Sequence, residues 1–356
     1  MTDLVILQTC APDYRKKVYD QIYDNLGRRF ILLAGNQYFE TSVKTNYSSS
    51  CLQTVKNHFV FGRRVLFQTG MWNKVISSKV VVLEMNPRII SNWMILIVRR
   101  VLGKRTVLWG HAWPRRGAGS KSDKLRHIMR VLANEIIVYT YSQAKDLRVK
   151  MPSKPIKVAP NAVMFQSEMN GARAFNEKRN DFIYVGRLTP LKKARFLVDS
   201  FIKYHSKFNE ECRLLVVGDG EELKGIKEVI ANASMEKRII TYGHISNHAQ
   251  LVDLYAKSIC SLSPGYVGLS VTQSLGMGVP MLISKEENHS PEIEAVQVGF
   301  NGQFFETDDS LSLINEMLDF YKKQEFWDSK CEQIVNDCKD KYSVENMAET
   351  FIGLIN

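Results

Sequence analysis

The chain has 356 residues, of which 45% are apolar and 24% are charged. At about 150 residues per domain this length predicts two globular domains, and the composition excludes a disordered or fibrous chain. Residues 1–165 carry 27 Lys and Arg against 9 Asp and Glu, whereas residues 166–356 carry 21 against 28, so the net charge of +11 belongs to the first half. That half should attract phosphate groups of nucleic acid, anionic lipid or a pyrophosphate-linked substrate, unless its basic residues are merely scattered over a solvated face.

The first half alternates short apolar runs with longer amphipathic segments. Runs of strand length lie at residues 4–7, 30–34, 80–83, 106–109 and 136–139. Helical spacing of apolar residues marks residues 14–26 and 91–102. This alternation predicts a parallel sheet covered by helices, which is the α/β class. The N-terminal MTDLVILQTC has the character of a first strand, with no basic leader or cleavable apolar run.

The longest apolar run, residues 93–98, is far shorter than the about 20 residues that span a bilayer. The basic residues Arg99, Arg100, Lys104 and Arg105 follow it. The segment is predicted to be a helix that either packs in the core or lies on an anionic membrane surface.

Two further basic groups follow predicted strands. They are Arg15, Lys16 and Lys17 after the first strand and Arg115, Arg116, Lys121 and Lys124 after the fourth. Such side chains either grip an acceptor pyrophosphate or lipid headgroup, or are solvated. The sequence leaves both interpretations open.

The second half repeats the strand pattern at residues 182–185, 214–217, 239–242, 259–262 and 281–284, and residues 310–356 are helical by pattern. Residues 165–181 are polar and predict an interdomain linker. The six cysteines show no Cys-x-x-Cys pair and no metal-binding spacing, which indicates reduced thiols in a cytoplasmic setting.

A first glycine-containing corner follows the strand at 182–185 and reads GRLTPLKK over residues 186–193. Thr189 and Pro190 are typical of a helix start, with a hydroxyl N-cap and a proline at the first helical position. Arg187 and Lys192 would then surround a helix N-terminus, where free N–H groups favour an anion.

A second corner, residues 263–280, reads SPGYVGLSVTQSLGMGVP. Gly265 and Gly268 let the backbone approach a ligand closely, and a short helix then runs to Gly278 and Pro280. Two such corners in one half of the chain predict a pocket for the pyrophosphate of a nucleotide.

In this order along the chain, the motifs resemble the retaining, nucleotide-sugar-dependent glycosyltransferases of family 4, which have the GT-B fold. The resemblance implies two Rossmann-like parallel-sheet domains facing an interdomain cleft. It implies an acceptor-binding domain over residues 1–165, a linker over 166–180, a nucleotide-sugar-binding domain over 181–340, and a C-terminal helix over 341–356 that could pack back on the first domain.

Individual residues are carried over motif by motif. YVGRLTPLKK is similar to the family's Gly-Arg-Leu-x-x-x-Lys, which implies that Arg187 and Lys192, next to Gly186, bind the donor diphosphate and stabilise it as it leaves. KVAPNAV, with Asn161, is similar to the Pro-Asn-Gly-Val after the last strand of the first domain. Residues 214–226 and 240–246 resemble the segments that line the nucleoside, and the residues implied there are Gly218, Gly243, His244 and Ile245.

The first-domain motif is looser. LWGHAWPRRG places His111 after a strand, where the family often has a histidine near the donor sugar and phosphate, although a structural histidine at a strand end is a competing interpretation. Pro12, Tyr14 and Arg15, with residues 86–93, resemble a bacterial subgroup that builds cell-surface glycans.

One departure concerns the family's signature of two glutamates separated by seven residues. Gly265 stands at the first glutamate and Gln273 at the second, so both carboxylates are missing. The binding segment still implied comprises Gly265, Tyr266, Val267, Gly268, Leu269 and Gln273. Glu292, in HSPEIEAV, is similar to the family's Pro-Glu and is the nearest remaining carboxylate.

The sequence contains no Asp-x-Asp, so a metal-bridged diphosphate is not expected, and neither a metal nor another cofactor is predicted besides the donor substrate. No carboxylate pair stands out as nucleophile and acid, which fits a retaining mechanism in which the leaving phosphate oxygen takes the acceptor proton.

The expected function is transfer of a sugar, most readily from a UDP-linked donor, to a lipid-linked or surface glycan in polysaccharide, O-antigen or capsule biosynthesis. The expected location is the inner face of the cytoplasmic membrane, reached through the basic first domain. The alternative is a degenerate GT-B subunit that binds nucleotide or glycan without turnover. Nucleic-acid binding by the basic half is disfavoured, because the sequence has no RNA- or DNA-binding motif.

Overall fold

The structure is a computed structural model that describes residues 2–41, 43–114, 117–169 and 179–355. Two compact units divide the chain: unit 1 comprises residues 1–163 and 344–356, and unit 2 comprises residues 164–343. The chain passes from one unit to the other between Val163 and Met164. The middle of the expected linker, residues 170–178, lies outside the described residues, as do Arg115 and Arg116.

Unit 1 is built on a seven-stranded, wholly parallel sheet with strand order β3-β2-β1-β6-β7-β8-β9. Its strands are β1 Leu4–Gln8, β2 Phe30–Ala34, β3 Leu52–Thr54, β6 Val80–Glu84, β7 Arg105–Trp109, β8 Glu135–Val138 and β9 Ile156–Val158. Two more strands, β4 Lys56–Val60 and β5 Val65–Thr69, form an antiparallel hairpin. The central strands are apolar runs buried on both faces, as a sheet covered by helices on each side requires.

The α-helices in the described part of unit 1 are α1 Lys16–Leu26, α2 Trp72–Ser77, α3 Ile90–Val101, α4 Lys121–Leu132, α5 Tyr141–Lys150 and α12 Val344–Ile352. Helix α1 buries Val18, Tyr19, Ile22 and Leu26, which lie on one side at helical spacing. It packs against α12, the helix contributed by the end of the chain.

Helix α12 and the residues after it are fastened to the sheet by side-chain and backbone contacts. The Phe351 ring meets the buried Trp109 ring edge-on, with centroids 4.8 Å apart. Thr350 Oγ1 donates to the carbonyl oxygen of Val158 at 3.0 Å. Arg105 Nη1 donates to the carbonyl oxygen of Leu354 at 2.6 Å. The end of the chain is therefore part of the unit 1 core.

Unit 2 is built on a six-stranded parallel sheet with order β12-β11-β10-β13-β14-β15. Its strands are β10 Asp181–Val185, β11 Leu214–Val217, β12 Ile239–Gly243, β13 Ser258–Ser263, β14 Met281–Ser284 and β15 Gly302–Phe305. Its helices are α6 Ala194–Tyr204, α7 Leu223–Asn232, α8 His248–Ala256, α9 Ser270–Gly276, α10 Ser310–Lys322 and α11 Gln324–Tyr342. The prediction of two Rossmann-like α/β domains is confirmed.

All six cysteines are buried free thiols. Within the described ranges, no helix has both the length and the apolar character needed to cross a membrane.

Candidate functional site

The first corner follows β10, but its helix start differs from the prediction. Pro190–Lys192 forms a single 3₁₀ turn, and the Thr189 side chain makes no capping hydrogen bond. Lys193 then adopts a left-handed conformation, with φ 51°, before α6 begins at Ala194. The expected hydroxyl N-cap is therefore wrong, because the 3₁₀ turn and the left-handed residue separate Thr189 from the α-helix. Arg187 is exposed beside this turn, and Lys192 is half-buried in it.

The second corner lies directly against the first, because β10 and β13 are neighbours in the sheet. Tyr266 N donates to the carbonyl oxygen of Leu191 at 2.9 Å. Lys192 Nζ donates to the carbonyl oxygen of Tyr266 at 2.8 Å and lies 4.6 Å from the centroid of its ring. The structure thus brings the predicted residues Lys192, Gly265 and Tyr266 together.

Gly265 makes room for this contact between the two loops. A Cβ at Gly265 would lie 2.5 Å from the carbonyl oxygen of Leu191, closer than real Cβ atoms come. Any side chain at this position, glutamate included, would force the two corners apart. The packing of the two loops therefore requires glycine at this position and leaves no room for the family's glutamate.

Three glycines meet at the ends of β10, β11 and β12. Gly186 N donates to the carbonyl oxygen of Val217 at 3.0 Å, and Gly218 N donates to that of Gly243 at 2.8 Å. Gly218 has φ +149°, and a Cβ there would overlap the carbonyl oxygen of Gly186. Only glycine fits this position, so the backbones of the predicted residues Gly186, Gly218 and Gly243 line one stretch of the sheet edge.

A histidine that the sequence analysis did not single out fixes the second corner from the other side. Val267 N donates to His289 Nδ1 at 3.2 Å, and His289 Nε2 lies 2.8 Å from the carbonyl oxygen of Ser284. Nδ1 accepts, so the ring proton is on Nε2 and the ring is neutral. Burial lowers the pKa of His289, which favours that neutral form.

Ser290 completes the same connection. Its N–H donates to the carbonyl oxygen of Val267 at 3.0 Å, and its hydroxyl is hydrogen-bonded to the Tyr266 hydroxyl. The buried Glu292 follows in the 3₁₀ helix Pro291–Ala295. No sequence motif singled out His289 or Ser290; the only signal was their place next to the Pro-Glu of HSPEIEAV.

The electrostatics of this edge favour an anion. Burial, and after it the positive charge of Arg187, together lower the pKa of Lys192 to about 8, while the carboxylate of Glu292 opposes the shift. Two cations held at a partly desolvated turn repel each other until a negative group neutralises them. A diphosphate between Arg187 and Lys192 would supply that group.

The remaining predicted residues of unit 2 lie at the same edge but make fewer contacts. His244 and Ile245 follow β12, with His244 exposed and Ile245 half-buried. Leu269 directly precedes α9, and its carbonyl oxygen accepts from the backbone N–H of Gln273 at 3.1 Å. Gln273 itself is half-buried in α9.

In unit 1, the carboxyl ends of the strands gather a cluster around Arg15. Its guanidinium lies 4.5 Å from the centroid of the Trp109 ring. Its Nη2 donates to the Tyr139 hydroxyl at 2.9 Å and to Asn161 Oδ1 at 3.3 Å. The His111 ring is exposed and contacts the Tyr139 ring edge-on, with centroids 4.8 Å apart. His111 and Asn161, two residues carried over from the family, thus meet at one edge.

Of the two interpretations of Arg15, the solvated one is wrong, because its side chain is buried among aromatic rings. Lys16 forms an ion pair with Asp20 one turn along α1. Lys121 and Lys124 are exposed on α4.

A carboxylate that the sequence analysis missed also lies at this edge. Glu84, at the end of β6, accepts from Thr9 N at 2.6 Å and from Thr9 Oγ1 at 2.8 Å. Burial raises the pKa of Glu84, while the two Thr9 hydrogen bonds and the charge of Arg15 oppose the shift. A single acidic residue at the end of an apolar strand gave no sequence signal.

A separate cavity lies at the opposite end of the unit 2 sheet. Its volume is about 470 Å³, and it is lined at the amino ends of the unit 2 strands by residues such as Asp181, Arg213 and Lys257. Ligands of open parallel sheets bind at the carboxyl ends, so this cavity is not the candidate site. In the described part of the chain, no three His, Cys, Asp or Glu side chains cluster as metal ligands would.

The geometry agrees with comparisons to known proteins. The model of the family described as glycosyl transferases group 1 matches residues 165–339. N-acetyl-alpha-D-glucosaminyl L-malate synthase of Bacillus anthracis is 22% identical over 207 residues, 56% of this chain and 53% of that protein. Amylovoran biosynthesis glycosyltransferase AmsD of Erwinia amylovora is 28% identical over 171 residues, 47% of this chain and 44% of that protein. The chain thus spans about half the length of these curated relatives.

Among solved structures, HepE of Anabaena in complex with UDP superimposes with a TM-score of 0.69 at 13% identity, covering 100% of this chain and 99% of that one. This likeness extends over both units. The chain therefore has the two-domain GT-B fold, and its residues 165–339, which hold both glycine-containing corners, are similar to the glycosyl transferases group 1 family.

Proposed function

We propose that this chain is a retaining glycosyltransferase that moves a sugar from a nucleotide-diphosphate donor, with UDP as the nucleotide, to a lipid-linked or surface glycan acceptor. The observation that carries the proposal is the pair of interlocked corners, in which Arg187 and Lys192 hold two positive charges beside the loop of Tyr266. The choice of UDP is supported by HepE, whose structure contains UDP. The acceptor class is supported by AmsD, which is named for amylovoran biosynthesis.

In the proposed reaction, the bond from the anomeric carbon to the diphosphate oxygen breaks and negative charge grows on the leaving diphosphate. Arg187, as a planar fork, and Lys192, as a point charge, stabilise that charge. The leaving oxygen takes the proton of the acceptor hydroxyl, and the hydroxyl oxygen forms the new bond to the anomeric carbon on the face that the diphosphate leaves, so the configuration is retained. His111 of unit 1 is proposed to contact the donor sugar and phosphate.

The binding residues follow from the same edge of unit 2. Gly186, Gly218 and Gly243 present backbone to the nucleotide, with His244 and Ile245 beside the base. Gln273 takes the place of the ribose-binding glutamate, since its amide both accepts and donates hydrogen bonds. Glu292, buried next to the loop of Tyr266, is the proposed carboxylate for the sugar hydroxyls.

The proposed setting is a polysaccharide, O-antigen or capsule assembly line on the inner face of the cytoplasmic membrane, without a required metal. A degenerate subunit that binds without turnover is the second candidate, and the absence of a side chain at Gly265 is the observation that favours it.

The test is acceptor-free hydrolysis of UDP-, GDP- and dTDP-sugars, with released nucleotide measured by mass spectrometry in the presence of EDTA. We expect release from one UDP-sugar and a loss of about a hundredfold in Arg187→Ala, the size seen when one stabilising donor is removed. Arg195→Ala is the matched control, because Arg195 lies on α6 and pairs with Asp199.

Three results would contradict the proposal. An equal loss of nucleotide release in Arg187→Ala and Arg195→Ala would show that Arg187 has no specific role at the diphosphate. No release even with lipid-linked acceptor added, while calorimetry shows that nucleotide binds, would identify the binding subunit instead. Release that EDTA abolishes would overturn metal independence.

A further inference from the structure

Helices α3 and α4 of unit 1 lie side by side and expose large apolar side chains. Arg100 Nη1 joins their ends, donating to the carbonyl oxygens of Val131 at 3.4 Å and Leu132 at 3.3 Å. The exposed apolar residues used here, named the α3–α4 face, are Met94, Ile97, Val101, Leu125, Ile128 and Val131. Val101 is 82% exposed, Ile97 52% and Leu125 50%. Patches of this kind on one side of a protein mark interaction sites.

The face has helical periodicity on both elements. On α3 its residues stand at positions 94, 97 and 101, the spacing of one helix side, while Ile95 and Leu96 point into the core. On α4 they stand at 125, 128 and 131, while Met129 and Arg130 are buried. Helix α3 therefore has apolar residues on two sides, of which the fold buries one. Helix α4 buries Met129 and a charged pair, and leaves its three residues of the α3–α4 face exposed.

The charges around the face are of one sign. Residues 85–122 contain eight Lys and Arg and no Asp or Glu. The single carboxylate of α4, Asp123, is buried in an ion pair with Arg130. All residues of α3 and α4 are described, and neither helix exposes a carboxylate, while Arg100, Lys121 and Lys124 are exposed.

Not every basic residue of this segment contributes. Arg99, which the sequence placed at the basic end of an amphipathic helix, is fully buried. Its guanidinium donates to the carbonyl oxygens of Lys79 at 3.0 Å and Arg105 at 2.7 Å. Arg105 pairs with Glu135. The exposed positive charges on the two helices themselves are those of Arg100, Lys121 and Lys124.

We infer that the α3–α4 face is a membrane-docking surface that inserts its apolar side chains between the headgroups of an anionic lipid layer. Apolar side chains with basic residues beside them are the combination that holds an interfacial helix in such a layer. A second copy of the chain is the less favoured occupant, because it would bring the same basic residues into opposition. The inference rests on the proposed function, since it names where the enzyme would meet its lipid-linked acceptor.

The test is co-sedimentation of the full chain with phosphatidylcholine vesicles that contain or lack phosphatidylglycerol, at low and high salt. We expect binding to the anionic vesicles that weakens with salt. Ile97→Gln/Val101→Gln and Leu125→Gln/Ile128→Gln should each lose at least about tenfold in vesicle affinity, because each removes two apolar side chains from the lipid. Val298→Gln and Leu311→Gln, which replace exposed aliphatic residues of unit 2, are the matched controls.

Three outcomes would overturn the inference. The first is absence of vesicle binding by the unaltered chain, and the second is equal binding by face and control variants. The third is a dimer in sedimentation velocity that only the face variants dissociate, which would assign the face to a second copy. Acceptor-free donor hydrolysis, measured without vesicles, separates the two proposals. If only the membrane-docking inference fails, the unaltered chain and the face variants still hydrolyse the donor. If the proposed function fails, the unaltered chain does not hydrolyse the donor.

Discussion

Lys192 connects the two corners of unit 2 through one hydrogen bond and one contact with the Tyr266 ring. The loop of Tyr266 therefore holds the ammonium group in place, and the two together would bind a ligand. Since its pKa is lowered to about 8, the charge of this residue changes within the range where enzymes are assayed. An anion that binds next to it must raise that pKa, by linkage between proton and ligand.

We predict that the affinity for UDP is constant near neutral pH and falls above about pH 8, as Lys192 loses its proton. The affinity should fall by up to about tenfold per pH unit until the higher pKa of the bound state is reached. Calorimetric titration with UDP across this range measures the effect. Lys192→Arg should abolish the fall, because an arginine stays charged throughout.

Lys193→Gln is the control for this measurement, since Lys193 forms ion pairs with Glu287 and Asp308, and those hydrogen bonds raise its pKa. Its variant should keep the wild-type pH profile. The same pH profile in Lys192→Arg as in the unaltered chain would exclude Lys192 as the titrating group.

Sequence motifs identified residues at the sheet edges of both units but did not predict the contacts that some of them make. Gly265 was expected to let a ligand approach closely, and its lack of a side chain also makes room for the carbonyl oxygen of Leu191. Arg15 was expected in solvent or on an acceptor, yet Trp109 and Tyr139 enclose it. In both cases the deciding neighbour is distant in the sequence, and no local pattern reports a contact of that kind.

At the scale of elements, α4 is held by a buried ionic network. Asp123 accepts from Arg130 at 2.7 Å and from Lys150, on α5, at 2.8 Å. Burial alone would raise the pKa of Asp123, but hydrogen bonds from Lys150, the Gly119 N–H and Arg130 lower it to about 2. This carboxylate therefore stabilises the fold above its unfolded pKa, and the stabilisation is lost as the pH falls towards about 2.

We predict that Asp123→Asn lowers the free energy of unfolding by about 3 kcal/mol at neutral pH, because Arg130 is left buried without its counter-ion. Urea denaturation followed by circular dichroism measures this. Asp199→Asn, which removes an exposed pair with Arg195, should cost less than about 1 kcal/mol. Equal losses in the two variants would show that the buried network does not hold α4.

Elements made of apolar runs were predicted well. Each of the ten runs read as strands is a strand, with ends that agree within one residue. The hairpin β4 and β5 was not predicted, because β4 alternates exposed and half-buried residues and has no apolar run. Helix α3 was predicted, but the inward direction of Arg99 was not, since its partners are backbone carbonyl groups that carry no sequence signal.

At the scale of the molecule, the two units differ in how the chain builds them. Unit 2 is one continuous segment, whereas unit 1 is assembled from residues 1–163 and 344–356. Phe351 is completely buried, and it fills the unit 1 core next to Trp109.

We predict that deleting residues 344–356 destabilises unit 1 selectively. Hydrogen exchange should become faster in α1, β7 and β9, which contact that segment, and should stay unchanged in β10 to β15. Phe351→Ala, with an expected cost of about 3 kcal/mol or more, is the milder variant. Phe326→Ala, at an exposed position of unit 2, is its control. A uniform change across both units would contradict the prediction.

The return of the chain to unit 1 also sets an order of events during synthesis. All of unit 2 is synthesised before Phe351 and Leu354, so the unit that holds both glycine-containing corners is complete first. The surface of unit 1 that α12 covers stays exposed until α12 has been synthesised. A chain that stops before residue 344 would therefore contain all of unit 2 but an incomplete unit 1.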